Sequence, residues 1–391
     1  MNSPGMVLLL AANPHAPAHL IAALGRQPSP DCREAAAASQ AAARELLADL
    51  AGDSNAAVRR SVAANPSCQA ATLAGLASDH DERVRVAVAA SQAADPEVID
   101  QLAGDDLVLV RAAAAGNPLC PPQRLLKLAR DDARRVRHCV LQNPGAQAES
   151  LAAAYWPRDF LSRLFLAGNT ATSPASFETL AADQAPAIRL AVARNRQAPP
   201  ITLDQLAADP VDEVRCTALR HPSTPHYLVI AAAGHEEPAR RAVAANPVCP
   251  PAQLLALAAD PAVQVRISAA ASRSLPPAAA VAMAADPDCL VRAALGGNRS
   301  APARVLAALA ADSSAQVRRR VARNDHALPL LLDQLARDAD QAVRAGVARN
   351  PSASTAAHRC LLADSGLDVL GELARASRHQ EILLALVAGA D

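Results

Sequence analysis

The chain has 391 residues, of which 51% are apolar and only 2% aromatic, so its apolar surface is built from small aliphatic side chains suited to closely packed helices. The 38 basic residues balance the 38 acidic ones, which argues against a protein whose whole surface binds polyanions. No segment approaches the roughly 18 uninterrupted apolar residues of a membrane span. The eight scattered cysteines form no CxxC pair, and the N-terminus lacks a signal peptide's basic lead, so we expect a cytoplasmic protein.

A repeat runs along the whole chain with a period of twenty-six positions, and it is marked by an arginine that usually follows valine. The period is kept except for one deleted residue before Arg240. The repeat arginines are Arg33, Arg59, Arg85, Arg111, Arg137, Arg163, Arg189, Arg215, Arg240, Arg266, Arg292, Arg318 and Arg344. The same frame extends to Val7 and Leu370, so about fifteen units fill the chain.

This organisation predicts one solenoid domain over 1–391. Degenerate repeats and an N-terminal cap are expected over 1–52, core repeats over 53–363 and a C-terminal cap over 364–391. The end units lack the repeat arginine, which is typical of capping units because their outer faces have no neighbour.

The first half of each unit predicts a short helix. Proline opens it, and leucine pairs at helical spacing, such as Leu125 with Leu128, supply an apolar stripe. The sequence leaves open whether this helix is α or 3₁₀.

The second half of each unit predicts a helix that carries the repeat arginine. An aspartate six residues before the arginine is expected to be the N-cap, and a proline after it, as in Pro261, is expected to be the first helical residue. Val58 and Val62 lie on one face of such a helix. An asparagine six residues after the arginine, such as Asn246, is expected to end the helix in the left-handed conformation.

Aspartate and arginine at fixed repeat positions predict a ladder of ion pairs between or within neighbouring units, because a guanidinium can donate to several oxygens at once. The asparagines are expected to connect turn to turn. The predicted ladder residues are Asp53, Arg59, Asp79, Arg85, Asp209, Arg215, Asp260, Arg266, Asp312, Arg318, Asp338 and Arg344.

The segment NPVCPPAQLLALAADPAVQVRISAA, Asn246 to Ala270, resembles the repeat of the bacterial leucine-rich repeat variant family. The resemblance covers essentially the whole chain, and it implies a right-handed superhelix of alternating α- and 3₁₀-helices without β-sheet. The spacing from aspartate to arginine also resembles the second helix of HEAT repeats. The expected fold class is therefore an all-α, right-handed superhelical solenoid of two-helix repeats, either α/α or α/3₁₀.

One departure from that family concerns cysteines. A known member carries a cysteine-rich iron–sulfur module ahead of its repeats, whereas Cys32 is the only cysteine of this chain before Cys68. We therefore expect no cluster and no other cofactor. Cys68, Cys120 and Cys249 all lie three residues after the repeat asparagine, which indicates small buried turn residues.

The repeat is broken first at YWPRDFLSRLF, where Pro157 replaces the expected aspartate. Five of the six aromatic residues lie within this segment and the next unit. They could bind a peptide side chain or a flipped base, or they could fill space left by the lost ion pair, and we favour the second interpretation. The residues of this break proposed for binding are Tyr155, Trp156, Phe160 and Phe165.

The second break coincides with the deletion, where Gly234 replaces the aspartate and three histidines, His221, His226 and His235, accumulate. No HExxH motif or cysteine pair accompanies them, so we expect no metal site.

Local clusters of basic residues favour a second hypothesis. Successive repeats could align arginines into a track that contacts phosphates. The residues proposed for this track are Arg124, Arg130, Arg134, Arg319, Arg320 and Arg323.

These features rank three functions. The leading prediction is a non-catalytic scaffold whose concave surface binds a protein or peptide, because solenoids present long grooves and no catalytic motif is visible. A DNA- or RNA-binding solenoid is the alternative. An enzyme, such as a base-excising one that uses the aromatic cluster and Asp159, ranks third.

Overall fold

The computed structural model describes residues 11–364 and 366–388. These residues form 29 α-helices and no strand, which confirms the predicted all-α class of helical repeats. The short first helices of the units are α-helical and mostly seven residues long, as at Pro251–Leu257, so the α/α alternative holds and the 3₁₀ alternative is wrong for the described repeats.

Each repeat contains one short helix followed by one helix in the frame of the repeat arginine, which we name the arginine helix, except that Gln380–Ala388 is the last helix of the described chain and has no arginine helix after it. The short helices are Ala18–Gly25, Arg44–Leu50, Ala70–Leu76, Pro96–Leu102, Pro122–Leu128, Ala148–Ala154, Pro174–Ala181, Pro200–Leu206, His226–Ala232, Pro251–Leu257, Pro277–Met283, Ala303–Ala310, Pro329–Leu335, Thr355–Leu361 and Gln380–Ala388. The arginine helices are Pro30–Ala38, Ala56–Ala64, Glu82–Ala90, Val108–Gly116, Arg134–Gln142, Phe160–Gly168, Pro186–Arg194, Asp212–Arg220, Glu237–Ala244, Val263–Ala271, Cys289–Gly296, Ala315–Ala322, Gln341–Ala348 and Leu367–Ala376.

The chain divides into two compact units, one over Ala11–Ala198 and the other over residues 199–388 of the described chain. Within each unit, consecutive arginine helices pack directly against one another, and most short helices pack against the arginine helix of their own repeat. The short helix Ala148–Ala154 instead packs against the preceding arginine helix Arg134–Gln142. The single solenoid domain with caps at 1–52 and 364–391 stays a prediction.

The core of each unit is a continuous row of aliphatic side chains. Val58 and Val62 of one arginine helix and Leu73 of the following short helix are fully buried. A helix of seven or nine residues buries too little apolar surface to be stable alone, so each repeat depends on its neighbours.

The repeat aspartates do not cap helices, which corrects the N-cap prediction. Asp260 lies three residues before the helix Val263–Ala271, and its Oδ1 accepts the backbone N–H of Ala262 at 2.8 Å, which closes a turn. Pro261 consequently lies in that turn and not at the first helical position, and the same holds for Pro210 and Pro287. The aspartate shapes the turn that leads into the helix.

The ion pairs connect neighbouring repeats. Arg59 Nε donates to Asp79 Oδ2 of the next repeat at 2.7 Å, while its Nη1 donates to the carbonyl of Asp53 in its own repeat at 2.7 Å. One guanidinium therefore joins its own turn to the next one. Pairs of the same spacing within each unit are Arg33–Asp53, Arg59–Asp79, Arg85–Asp105, Arg111–Asp131, Arg163–Asp183, Arg240–Asp260, Arg266–Asp286, Arg292–Asp312, Arg318–Asp338 and Arg344–Asp364.

The repeat asparagines act through their side chains and not through a left-handed backbone. Asn324 is 3% exposed, and its amide donates to the carbonyls of Gly296 and Asn298 in the preceding repeat at 2.9 and 3.1 Å. No non-glycine residue of the described chain has a positive φ, so the left-handed helix end was wrong. The buried amide thus connects two carbonyls of the preceding repeat to its own turn, although serine or histidine takes this position in some repeats, as at Ser272 and His221.

Candidate binding surface

The first turns of three successive arginine helices carry an exposed row of apolar and basic side chains. Val108–Gly116, Arg134–Gln142 and Phe160–Gly168 pack side by side in this order within the unit Ala11–Ala198. Their first turns expose side chains at the same two positions of successive repeats. These residues form what we name the apolar–arginine strip, and they are Val108, Leu109, Arg134, Arg135, Phe160 and Leu161.

The first break of the repeat lies at one end of this strip. Arg137 would find an aspartate at position 157 in a regular repeat, but Pro157 stands there. Its guanidinium instead lies over the indole of Trp156, 4.8 Å from the ring centroid, and its Nη1 still donates to the carbonyl of Asp131 at 2.6 Å. Trp156 therefore takes the place of the missing carboxylate through a cation–π contact and remains 56% exposed.

Asp159 is bound by side chains of the preceding repeat. Its carboxylate accepts from Arg134 and lies 2.7 Å from His138 Nε2, and it also accepts the backbone N–H of Leu161 at 3.2 Å as the N-cap of its helix. Burial raises the pKa of Asp159, but the hydrogen bonds from His138 and Arg134 outweigh burial and lower it. A carboxylate with a lowered pKa is a weak general base, which disfavours the base-excising enzyme.

These groups surround a pocket of about 360 Å³. Its apolar wall is Trp156 and Ala154, and its charged wall includes Arg158, which is exposed and has no ion-pair partner within the described residues. The pocket is lined by Arg134, Arg137, His138, Ala154, Trp156, Arg158, Asp159 and Ser162. An aromatic wall surrounded by guanidiniums suits a ligand that has both an apolar and an anionic part.

The other aromatic residues of the break are less exposed than Trp156 and Phe160. Tyr155 is half-buried, and burial raises its pKa. Phe165 packs edge-on against His138, with ring centroids 5.1 Å apart, and Phe177 is fully buried in the core. Tyr155, Phe165 and Phe177 therefore support the break from beneath, while Trp156 and Phe160 face solvent.

The second break is repaired by neighbouring side chains. Arg215 bonds to Glu236 at 2.8 Å and to Asp212 at 2.7 Å, in place of the aspartate lost at Gly234. His221 occupies the asparagine position, is 5% exposed, and accepts the backbone N–H of Ser223 at 3.1 Å on Nδ1. His226 and His235 are exposed, and no group of three potential metal ligands occurs among the described residues.

The six arginines proposed for phosphate contact divide between the two units. Arg124 forms an ion pair with Asp100 at 2.6 Å, Arg134 pairs with Asp159, and Arg130 is exposed. Arg319, Arg320 and Arg323 lie in the other unit at the end of one arginine helix. The six arginines consequently do not form one continuous track within either unit.

The cysteines three residues after the repeat asparagine are buried, as predicted. Cys68, Cys120 and Cys249 are 5%, 4% and 3% exposed. Burial raises the pKa of Cys120 to about 12 and that of Cys249 to about 11, so these thiols are protonated and unreactive at neutral pH.

Three surface residues of this region were not predicted as binding residues, because the prediction relied on breaks in the repeat. Leu109, Arg135 and Arg158 line the strip or its pocket, although Leu109 and Arg135 lie in regular repeats. Aligning the repeats and comparing the position two residues before the arginine would have found Leu109, Arg135 and Leu161 together. None of the described helices combines the length and apolarity that a bilayer crossing requires.

No protein-family model matches the chain, and no curated protein matches it either. Among solved structures, a leucine-rich repeat variant is 25% identical over 56% of this chain and 87% of that chain, with a TM-score of 0.37. Kap95p in complex with RanGDP, and importin beta, are each 13% identical over 94% of this chain, with TM-scores of 0.26 and 0.22. This chain covers 55% and 51% of those two chains. The scores are too low to bear on function.

Proposed function

We propose that the protein is a non-catalytic scaffold that binds peptide segments of other proteins on the apolar–arginine strip. The supporting observation is the repetition of exposed apolar side chains on neighbouring helices. Phe160, Leu161 and Leu109 are 42%, 37% and 42% exposed, and exposed apolar side chains that adjoin one another, unlike scattered ones, are typical of interaction surfaces.

The Trp156 pocket is the proposed anchor of the bound peptide. An exposed indole fixed by a guanidinium is an aromatic surface of restricted mobility, and aromatic and arginine residues dominate the binding energy of protein interfaces. Arg158 lines this pocket and is exposed, and the exposed Arg135 follows the pocket residue Arg134 in the sequence. The preferred peptide therefore combines an aromatic or long aliphatic residue with flanking carboxylates.

Small residues beside the strip make room for a peptide backbone. A second pocket of about 360 Å³ lies along the preceding arginine helices, and Ala64, Ala87 and Ala90 line it together with Leu109. Leu109 belongs to this pocket and to the strip, so a peptide longer than the Trp156 pocket has a continuous surface to follow.

Nucleic-acid binding remains the alternative from the sequence, but the structure favours it less. Two of the three proposed arginines in the unit Ala11–Ala198 already have carboxylate partners, Asp100 and Asp159. A phosphate would have to displace those carboxylates.

Peptide display followed by fluorescence anisotropy tests the proposal. Peptides selected on the full chain should lose about tenfold or more in affinity when Trp156→Ala or Phe160→Ala is introduced, as for interface anchors. Tyr227→Ala is the matched control, because Tyr227 is an aromatic residue of similar exposure, 59%, in the other unit. Equal losses in Trp156→Ala and Tyr227→Ala, or no loss in either, would refute this site.

A further inference from the structure

Four guanidiniums gather at the ends of two neighbouring arginine helices in the unit of residues 199–388. Arg319 and Arg320 lie in the last turn of Ala315–Ala322, and Arg323 follows as its C-cap. Arg349 occupies the position of Arg323 one repeat later. Spacings of one and four residues place the first three side chains on one side of the helix.

No ion pair neutralises Arg319, Arg320 or Arg323 within the part of the chain that the structure describes. Burial lowers the pKa of Arg323, the positive charges of Arg319, Arg349 and Arg320 lower it further, and the negative charge of Glu372 opposes them only in part. The ladder arginine Arg318 shows the opposite behaviour, because the hydrogen bond to Asp338 raises its pKa.

The repeat frame explains why Arg319 has no carboxylate partner. Arg60 occupies the position of Arg319 in its own repeat, and it bonds to Glu34 of the preceding repeat at 3.1 Å. The residue in the place of Glu34 relative to Arg319 is Ala293, and Ala345 stands on the other side. The same position thus has a carboxylate partner in one unit and only alanines in the other.

Glycines beside the cluster let the arginine stems lie against neighbouring helices. A Cβ at Gly346 would be 3.4 Å from Arg323 Cγ, and one at Gly297 would be 3.8 Å from Arg320 Cδ. At these distances the stems lie close against the neighbouring helices. The stems are consequently held in part before any ligand arrives, which reduces the entropy lost on binding.

Acidic residues limit the size of the anion that fits beside the cluster. An adjoining pocket of about 530 Å³ is lined by Arg323 and also by Asp340, Asp368 and Glu372. Glu372 already pairs with Arg349 at 3.3 Å. An extended polyanion would pass over these carboxylates, whereas a compact anion can contact the arginines alone.

We propose that Arg319, Arg320 and Arg323 form a binding site for a phosphate monoester, carried either by a small molecule or by a phosphorylated residue of a peptide. A phosphate monoester has three terminal oxygens and a charge between −1 and −2, so it can bind several guanidiniums at once. A single arginine such as Arg60 is instead neutralised by one carboxylate, that of Glu34. The site does not depend on peptide binding at the strip, which lies in the other unit.

Titration of the full chain with inorganic phosphate, O-phosphoserine and a phosphoserine peptide, at constant ionic strength, tests this site. Each ligand should bind, and phosphate should raise the melting temperature by a few degrees. The phosphoserine peptide should bind at least about tenfold more tightly than its serine counterpart. If the peptide also binds about tenfold more tightly than O-phosphoserine, the source is a peptide; similar affinities indicate a small molecule, and both results support the site.

Two variants and one control make the result specific. Arg320→Ala with Arg323→Ala should abolish phosphate binding without lowering the melting temperature, because the substitutions relieve repulsion. Ala345→Glu should weaken binding by placing a carboxylate in the pocket that Arg323 lines. Arg60→Ala removes the same charge from a paired arginine and should leave binding unchanged.

Three outcomes would overturn the proposal. Unchanged binding in the double variant would show that phosphate binds elsewhere. An equal loss in Arg60→Ala would show a general charge effect. Tighter binding of a short DNA duplex than of every phosphate monoester would assign the cluster to nucleic acid.

Discussion

Arg266 and Arg137 occupy the same position in their repeats but have different partners. Arg266 bonds to Asp286, a carboxylate 8% exposed, whereas Arg137 lies over an indole that is 56% exposed. The backbone around both is the same, since each donates its Nη1 to the carbonyl six residues earlier. The difference shows that the repeat tolerates loss of one ion pair and can use that position to present an aromatic surface.

The regular ladder should respond to acid far more than the broken position. The hydrogen bond from Arg240 is the largest influence on Asp260 and lowers its pKa, and the same holds for Arg318 and Asp338. As pH falls, the unfolded chain therefore takes up protons before the folded chain does. The ladder contributes its full stabilisation above the ordinary aspartate pKa of 3.8, and this contribution is lost as pH falls through the lower pKa values of the folded chain. The Arg137–Trp156 contact has no proton to take up.

Urea denaturation as a function of pH measures this effect, and we expect the free energy of unfolding to fall steeply below about pH 4. One histidine acts in a higher window. Burial, and the nearby His379 and Arg378, lower the pKa of His358 from 6.5 to about 4. The free energy of unfolding therefore falls as pH drops from 6.5 to about 4, because the unfolded chain binds a proton at this histidine in that range and the folded chain does not. A His358→Leu background separates the two windows. A flat stability curve below pH 4 in that background would contradict the ladder's contribution.

Breaking a regular pair should cost more than removing the indole at the broken one. Asp286→Ala leaves the guanidinium of Arg266 without its carboxylate and removes the acceptor of the Asp288 N–H, so we expect a loss of about 1–3 kcal/mol. Trp156→Ala loses a largely exposed cation–π contact worth about 0.5–1 kcal/mol. Chemical denaturation of both variants measures the difference. An equal or greater loss for Trp156→Ala would make the indole a structural residue and weaken its proposed role as an anchor.

The repeat made much of the fold predictable, while the surface depended on contacts between repeats. Period and apolar spacing fixed the helices, since residues such as Val58 and Val62 are buried wherever the frame places them. The contacts of Asp260 and Asn324 with neighbouring repeats were predictable because both residues recur in register. Their helix-end roles were wrong because the residue at which a helix begins or ends depends on the turn geometry, which the repeat spacing does not show. The arginine cluster itself was visible in the sequence. That Arg319 lacks a carboxylate partner, however, follows from Ala293 and Ala345, which lie one repeat before and one repeat after it.

Restoring the ladder at the break is the most discriminating test of the comparison, although its effect on stability is small. Pro157→Asp places a carboxylate at the position where the repeat frame expects the partner of Arg137. The guanidinium should then leave the indole for the new carboxylate, since a charge-assisted hydrogen bond is stronger than an exposed cation–π contact. We expect stability to rise by about 0.5–1 kcal/mol.

The binding effect of Pro157→Asp should oppose its effect on stability. An indole released from Arg137 is mobile, and the new carboxylate repels acidic ligands, so selected peptides should bind several-fold more weakly while the chain melts at a higher temperature. Melting and peptide anisotropy on the same sample measure both changes. Tighter peptide binding together with higher stability would mean that the indole works better without its guanidinium, and the cation–π contact would then be a packing feature of the broken repeat.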